Sequence, residues 1–242
     1  MTDFTHRLIK YPKISSRFLA DYMAASEIRR RTIIRDCKYI STARRLQHDR
    51  AMPYISSSLL HGHLVDGGGA KLSAKLRNGP HTTPFQKQKA NVNSDAIDHF
   101  DTVFNQIELG KPVRTPITDQ EPIELGGVEI KPMLAFGVSR FTKTNKLRIG
   151  AACIRYSKNN PVKKETAEFQ AAFTHGYLRH INMDEALEVE PKLCWLIDAF
   201  SGELIEAPSN SVSVFNNISS ACYSISERWD KITPPPKAIV KE

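Results

Sequence analysis

The order in which helix and strand periodicities alternate between residues 94 and 232 constrains this chain more than any other feature. Residues 94–107, SDAIDHFDTVFNQI, place Phe100, Val103, Phe104 and Ile107 at helical spacing. Asn93 or Ser94 is positioned to cap that helix, and Asp95 suits its first turn. Residues 123–139, IELGGVEIKPMLAFGVS, hold a Gly-Gly turn among alternating apolar residues, and 146–157, KLRIGAACIRYS, read as a mostly buried strand. RFTKTNK between them reads as a hairpin turn. An amphipathic helix follows over 165–181, with Phe169, Phe173, Tyr177 and Ile181 four apart. Residues 193–206, LCWLIDAFSGELIE, read as two strands about a Ser-Gly turn. Over 216–232, Ile218, Cys222, Ile225, Trp229 and Ile232 mark one side of a last helix. This order predicts an α/β (α+β) fold, with a mixed central sheet flanked by helices.

The region before it is helical and basic. Residues 14–60 place Leu19, Tyr22, Met23, Ile33, Ile34 and Cys37 on one apolar arc, starting at a Ser15 or Ser16 cap. Arg30 falls inside the same arc, which predicts a break near Ala24-Ala25-Ser26 with Ser26 capping a second helix. Residues 62–93, with a Gly triplet, two prolines and scattered lysines, read as a flexible basic loop with room for a short helix at 70–76. Residues 110–122, GKPVRTPITDQEP, read as loop, and 233–242 as a loose, extended tail. The expected divisions are therefore 1–61, 62–93, 94–232 and 233–242.

Charge follows these divisions. Residues 1–90 hold 17 Lys+Arg against 6 Asp+Glu, while 91–242 hold 17 against 20. An excess this lopsided suits an acidic partner such as nucleic acid or an acidic protein surface. Within IRRRTIIRDCKY, successive arginines are set about 100° apart on a helix, so Arg29, Arg30 and Arg31 cannot all face one flat surface. No apolar run approaches membrane-spanning length and the first residues lack an apolar signal core, which predicts a cytoplasmic protein with no membrane role. The widely spaced Cys37, Cys153, Cys194 and Cys222 fit buried free thiols better than zinc or disulfides.

Common catalytic motifs are missing. GGGAK lacks the spacing of a phosphate-binding loop, and there is no GxSxG or HExxH. His61, His63 and Asp66 are best read as polar loop surface, and His175 and His180 as structural. Asp95, Asp98 and Asp101 read as a solvated helix face.

The arrangement resembles the core of the PD-(D/E)XK nuclease superfamily, its RecB-like branch in particular. The parts that look alike are the helix at 94–107, the stretch GGVEIKPMLAFGVSRFTKTNKLRIGAACIRYSK, and the next helix with Glu168, Gln170 and Tyr177. The resemblance covers about 94–206. It implies an acid on the second strand and (D/E)xK on the third, where carboxylates hold Mg²⁺ and the lysine positions water or stabilises the developing phosphate charge. This sequence departs at both places: Leu134 and Ala135 stand near the first, and Ala151, Ala152 and Ile154 at the second, with Arg155 as the nearest cation and no carboxylate beside it in sequence.

The resemblance therefore implies a catalytically inactive nuclease-like module that binds nucleic acid, or an accessory subunit of a nucleic-acid-processing or defence complex. It needs no cofactor. Arg29, Arg30, Arg31, Arg35, Arg44 and Arg45 are the expected phosphate contacts. One alternative is an active Mg²⁺-dependent nuclease built on Asp119, Glu129 and Lys131, a literal ExK, with Asp98 or Asp101 as a further acid. Another is a structural subunit whose basic helix docks on an acidic protein.

Overall fold

A computed structural model describes residues 4–43, 47–182 and 187–241. The chain opens with strands β1 (His6–Leu8) and β2 (Lys13–Ser15), then helices α1 (Ser16–Met23) and α2 (Glu27–Lys38). The predicted break at Ala24-Ala25-Ser26 is present, and Ser15 caps α1 by accepting from the Phe18 N–H. Arg30 shows why the apolar arc tolerates it. Its Nε donates to the Tyr22 carbonyl and its Nη2 to the Met23 carbonyl, both at 3.0 Å, closing the exposed end of α1.

After α2 come β3 (Tyr39–Ser41), α3 (Ala51–His61), α4 (Ala70–Asn78) and α5 (Pro84–Val103). Residues 62–93, expected as a flexible loop, are thus mostly helix. Helix α5 starts ten residues before the predicted cap, at Thr83, whose hydroxyl accepts from the Gln86 N–H while the Gln86 side chain accepts from the Thr83 N–H. Pro84 occupies the first helical position, where its missing N–H costs nothing. Asn93 and Ser94, predicted as caps, are buried in mid-helix. Asn93 Oδ1 instead accepts from the N–H groups of Arg50 and Ala51 at the start of α3, and Ser94 donates to the Ser73 carbonyl on α4.

Next come β4 (Val113–Pro116), β5 (Ile123–Leu125), β6 (Val128–Lys131), β7 (Phe136–Phe141) and β8 (Leu147–Arg155). Strand β4 lies in the segment expected as loop. Gly126 and Gly127 both adopt positive φ, the geometry of the tight turn that joins β5 to β6. Helix α6 (Lys164–Ile181), β9 (Glu188–Val189), β10 (Trp195–Asp198), β11 (Glu203–Glu206), α7 (Ser211–Trp229) and β12 (Val240–Lys241) complete the chain.

The main sheet runs β11-β10-β8-β7-β4, with β9 also pairing with β8. Its β4, β7 and β8 are antiparallel neighbours, and α6 carries the chain from β8 to the parallel β10. Helices α1, α2, α6 and α7 share one core, on the face carrying Ala151 and Cys153; α3 and α5 pack with Phe136, Ala152 and Ile197 on the other. A strand covered on both faces must be apolar throughout, which explains the unbroken GAACI of β8. The sheet is mixed and flanked by helices, as the element order predicts.

Two small sheets tie the N-terminal region to this core. Strand β2 pairs with β6 in the sheet β2-β6-β5, and β1 lies between β3 and β12. The tail expected to be loose therefore returns to pair in parallel with β1. Lys38 holds its start: the buried Nζ donates to the carbonyls of Trp229, Asp230 and Ile232 at 2.7, 3.4 and 3.3 Å. All four cysteines are buried and free, and burial pushes the Cys37 thiol up to about 12.

Candidate nucleic-acid interface

At the carboxyl end of β8, consecutive residues open onto opposite faces of the sheet. Carboxyl ends of parallel strands are where open α/β sheets place their ligand crevices. Ile154 lines one cleft, of about 640 Å³, together with Met52, Lys131, Met133, Leu134 and Ala135. These include the positions where the family resemblance calls for metal-binding acids. Among the described residues Asp49 is the only carboxylate in the lining, and it is paired with Lys89 at 2.8 Å. Burial pushes the Asp49 carboxyl up, but the Lys89 ammonium outweighs it and holds it below the usual range. Mg²⁺ takes oxygen ligands, chiefly carboxylates, and this donor set does not fit it.

Arg155 lines the other cleft, of about 530 Å³, between the α1–α2 turn and the start of α6. Its buried guanidinium donates to Gln170 Oε1 at 2.5 Å, Asp21 Oδ1 at 2.6 Å and the Arg17 carbonyl at 2.8 Å. The carboxylate that sequence neighbours lack thus arrives from α1, 134 residues away. Arg155 is consumed in joining α1, β8 and α6.

Three other cations in this cleft are uncommitted. Arg17, Arg29 and Lys163 are exposed and form no ion pair among the described residues. Although Arg17 is exposed as a whole residue, partial desolvation of its guanidinium and then the neighbouring Arg155 hold it below its ordinary range, against the opposing pull of Asp21. Two helix N-termini also meet here. Ser26 precedes α2 and Lys163 precedes α6, and neither supplies a side-chain cap. Their first N–H groups carry the positive ends of helices of 12 and 18 residues. Unpaired cations and uncapped N-termini in one concavity are the chemistry of an anion site.

The arginines predicted from sequence separate around α2. Arg29 lines this cleft, Arg30 closes α1, and Arg31 and Arg35 line a different cleft beside α7. Arg44 and Arg45 lie outside the described residues. Arg17 and Lys163 were not anticipated, since only the fold brings residues 17, 29 and 163 together. The lysine pair Lys163-Lys164 at the start of α6 was the available signal for Lys163.

The alternative catalytic set is dispersed. Asp98 pairs with Arg77 at 2.7 Å, and Asp119 accepts from Thr118 in the loop between β4 and β5. Glu129 pairs across strands with Lys13 at 2.6 Å, and of the four only Lys131 lines the apolar cleft. Asp95 and Asp101, expected on a solvated face, also have partners. Asp95 pairs with Arg77 and Lys158, and Asp101 accepts from Tyr54 Oη and the Gly69 N–H. His175 is buried against Ser211 Oγ at 3.0 Å, while His180 is exposed. Among the described residues no three His, Cys, Asp or Glu side chains gather as a metal site, and no helix is long and apolar enough to cross a membrane.

Compared with known proteins, the sequence matches no family model and no curated protein is significantly similar to it.

Proposed function

We propose that this chain is a nuclease-like domain that grips nucleic acid by its phosphates without cutting it, serving as a binding module or as an accessory subunit of a nucleic-acid-processing assembly. The observation that carries this reading is the convergence of Arg17, Arg29, Lys163 and two uncapped helix N-termini on one cleft. Phosphate oxygens accept from such donors without regard to base sequence. The helix-and-strand order behind the family resemblance lends support, with α5 followed by β6, β7 and β8, then α6 and β10, and with β8 and β10 parallel. Catalytic inactivity rests on the apolar lining of the cleft at Ala135 and Ile154.

Fluorescence anisotropy tests the reading, with labelled single- and double-stranded DNA and RNA titrated across a salt series in Mg²⁺ and in EDTA. Engagement of all three cations with a duplex gives a slope of roughly −3 in log K against log salt. Binding is expected in both media, with the nucleic acid recovered intact. No binding at low salt, or a Kd indifferent to salt, would overturn it and leave a protein-docking role. Mg²⁺-dependent cleavage that disappears in Glu129→Ala and Lys131→Ala would instead establish the active nuclease.

A further inference from the structure

We infer that the cleft between α2 and the last turn of α7 is a separate anion site that takes a di- or triphosphate group. It encloses about 580 Å³, within the range of small-ligand pockets. Arg31 and Arg35 reach it from successive turns of α2, and Arg228 and Lys231 from the end of α7. Among the described residues Glu27 is the one carboxylate engaged with this group. It is 3.7 Å from Arg31 and also pairs with Arg228. Lys231 forms no ion pair among the described residues, and Arg35 Nε is buried without an acceptor. Four cations facing one carboxylate leave three positive charges in excess.

The carbonyl end of a helix ordinarily repels anions. Here that end is neutralised, because Lys38 Nζ already occupies the carbonyls of Trp229, Asp230 and Ile232. The cleft therefore presents donors instead of a negative helix terminus. Arginine forks match phosphate oxygens in pairs. A single phosphate monoester brings at most about two negative charges, so linked phosphates answer the excess better. This site lies on the far side of α2 from Arg29 and does not rest on the nucleic-acid reading.

Isothermal titration calorimetry with pyrophosphate and tripolyphosphate tests it, with orthophosphate and sulfate as comparators at matched ionic strength. A saturable site that persists in Arg29→Gln is expected, at least tenfold tighter for pyrophosphate than for sulfate. The double variant Arg35→Gln/Lys231→Gln weakens it tenfold or more, and Arg29→Gln leaves it unchanged. Should the double variant melt early, Arg31→Gln on the exposed side of the same cleft gives the equivalent readout. No saturable site, equal affinity for sulfate, or loss of binding in Arg29→Gln alone would each overturn the assignment. Tripolyphosphate that displaces a bound labelled duplex from wild type, but not from Arg29→Gln, would assign the anion to the other cleft and equally overturn it.

Discussion

Ile154 and Arg155 are neighbours at the end of one strand, yet they open onto clefts of opposite chemistry. On the Ile154 side the lining is largely apolar, with methionine, leucine and alanine beside the neutral polar Ser56, Thr118 and Gln120, and with Asp49 paired to Lys89. On the Arg155 side the lining is basic, and its one acid among the described residues, Asp21, is committed to Arg155 itself. The alternation of a strand is enough to produce this separation. The difference teaches that one strand end can present a largely apolar face on one side and cations on its reverse.

The strongest way to break the comparison is Arg155→Ala. It strands the buried Gln170 amide and releases Asp21, and the expected loss is about 3 kcal/mol of stability by urea denaturation, because breaking a buried pair leaves polar groups uncompensated. Ile154→Ala, on a half-buried side chain, is expected to cost about 2 kcal/mol, the low end for such truncations, and to leave nucleic-acid binding unchanged. A reversal of that order would mean that the apolar cleft, and not the Arg155 junction, organises the strand end.

Charge changes sharpen the comparison without unfolding anything. Arg29→Ala and Lys163→Ala should each leave stability within about 0.5 kcal/mol, while lowering the salt slope of binding by about 1. Unaltered anisotropy titrations would remove these residues from the interface.

The smallest effect concerns His48, which contacts the Tyr156 ring edge-on at 4.7 Å. Burial, and then the charge of Arg17, hold its pKa below the ordinary 6.5. The unfolded chain therefore binds the proton more readily, so stability is lost as pH falls from above 6.5 through the lower folded value. His48→Gln should flatten the stability profile in that window, and an unchanged profile would place the titration elsewhere.

Much of the sheet was legible because local periodicity sets strands and helices: β5, β6, β8, β10 and β11 fall within the segments whose patterns announce them, while β7, α6 and α7 overlap theirs, with β7 running on into the expected turn and α7 starting before its expected segment. The start of α5 was legible in principle, as Thr83, Pro84 and Gln86 form a capping box with proline at the first position. It is masked by a glycine- and proline-rich setting that also signals loop. Asn93 reads as a cap, and it is one, but for α3 some 40 residues earlier. Strand β4 is four residues long with proline at its end, too short for period two to register. The basic cleft was legible only at Arg29. Lys163 and the Arg155–Asp21 pair reach it across more than a hundred residues, and Arg17 reaches it only through the turn between α1 and α2, which no local pattern encodes.

The pairing of β1 with β12 has a mechanical side. Tension entering the chain ahead of His6 and leaving beyond Lys241 would draw two parallel neighbours in opposite directions along their own axes. The hydrogen bonds from the Thr5 and His6 N–H groups to the Ile239 carbonyl, and from the Ile239 N–H to Thr5 Oγ1, would then be loaded together in shear. They would resist as a group where an antiparallel pair would unzip one rung at a time. While such a clasp holds, the pull crosses directly between β12 and β1, and only once it shears does the load from the C-terminal side meet the lysine-pinned end of α7.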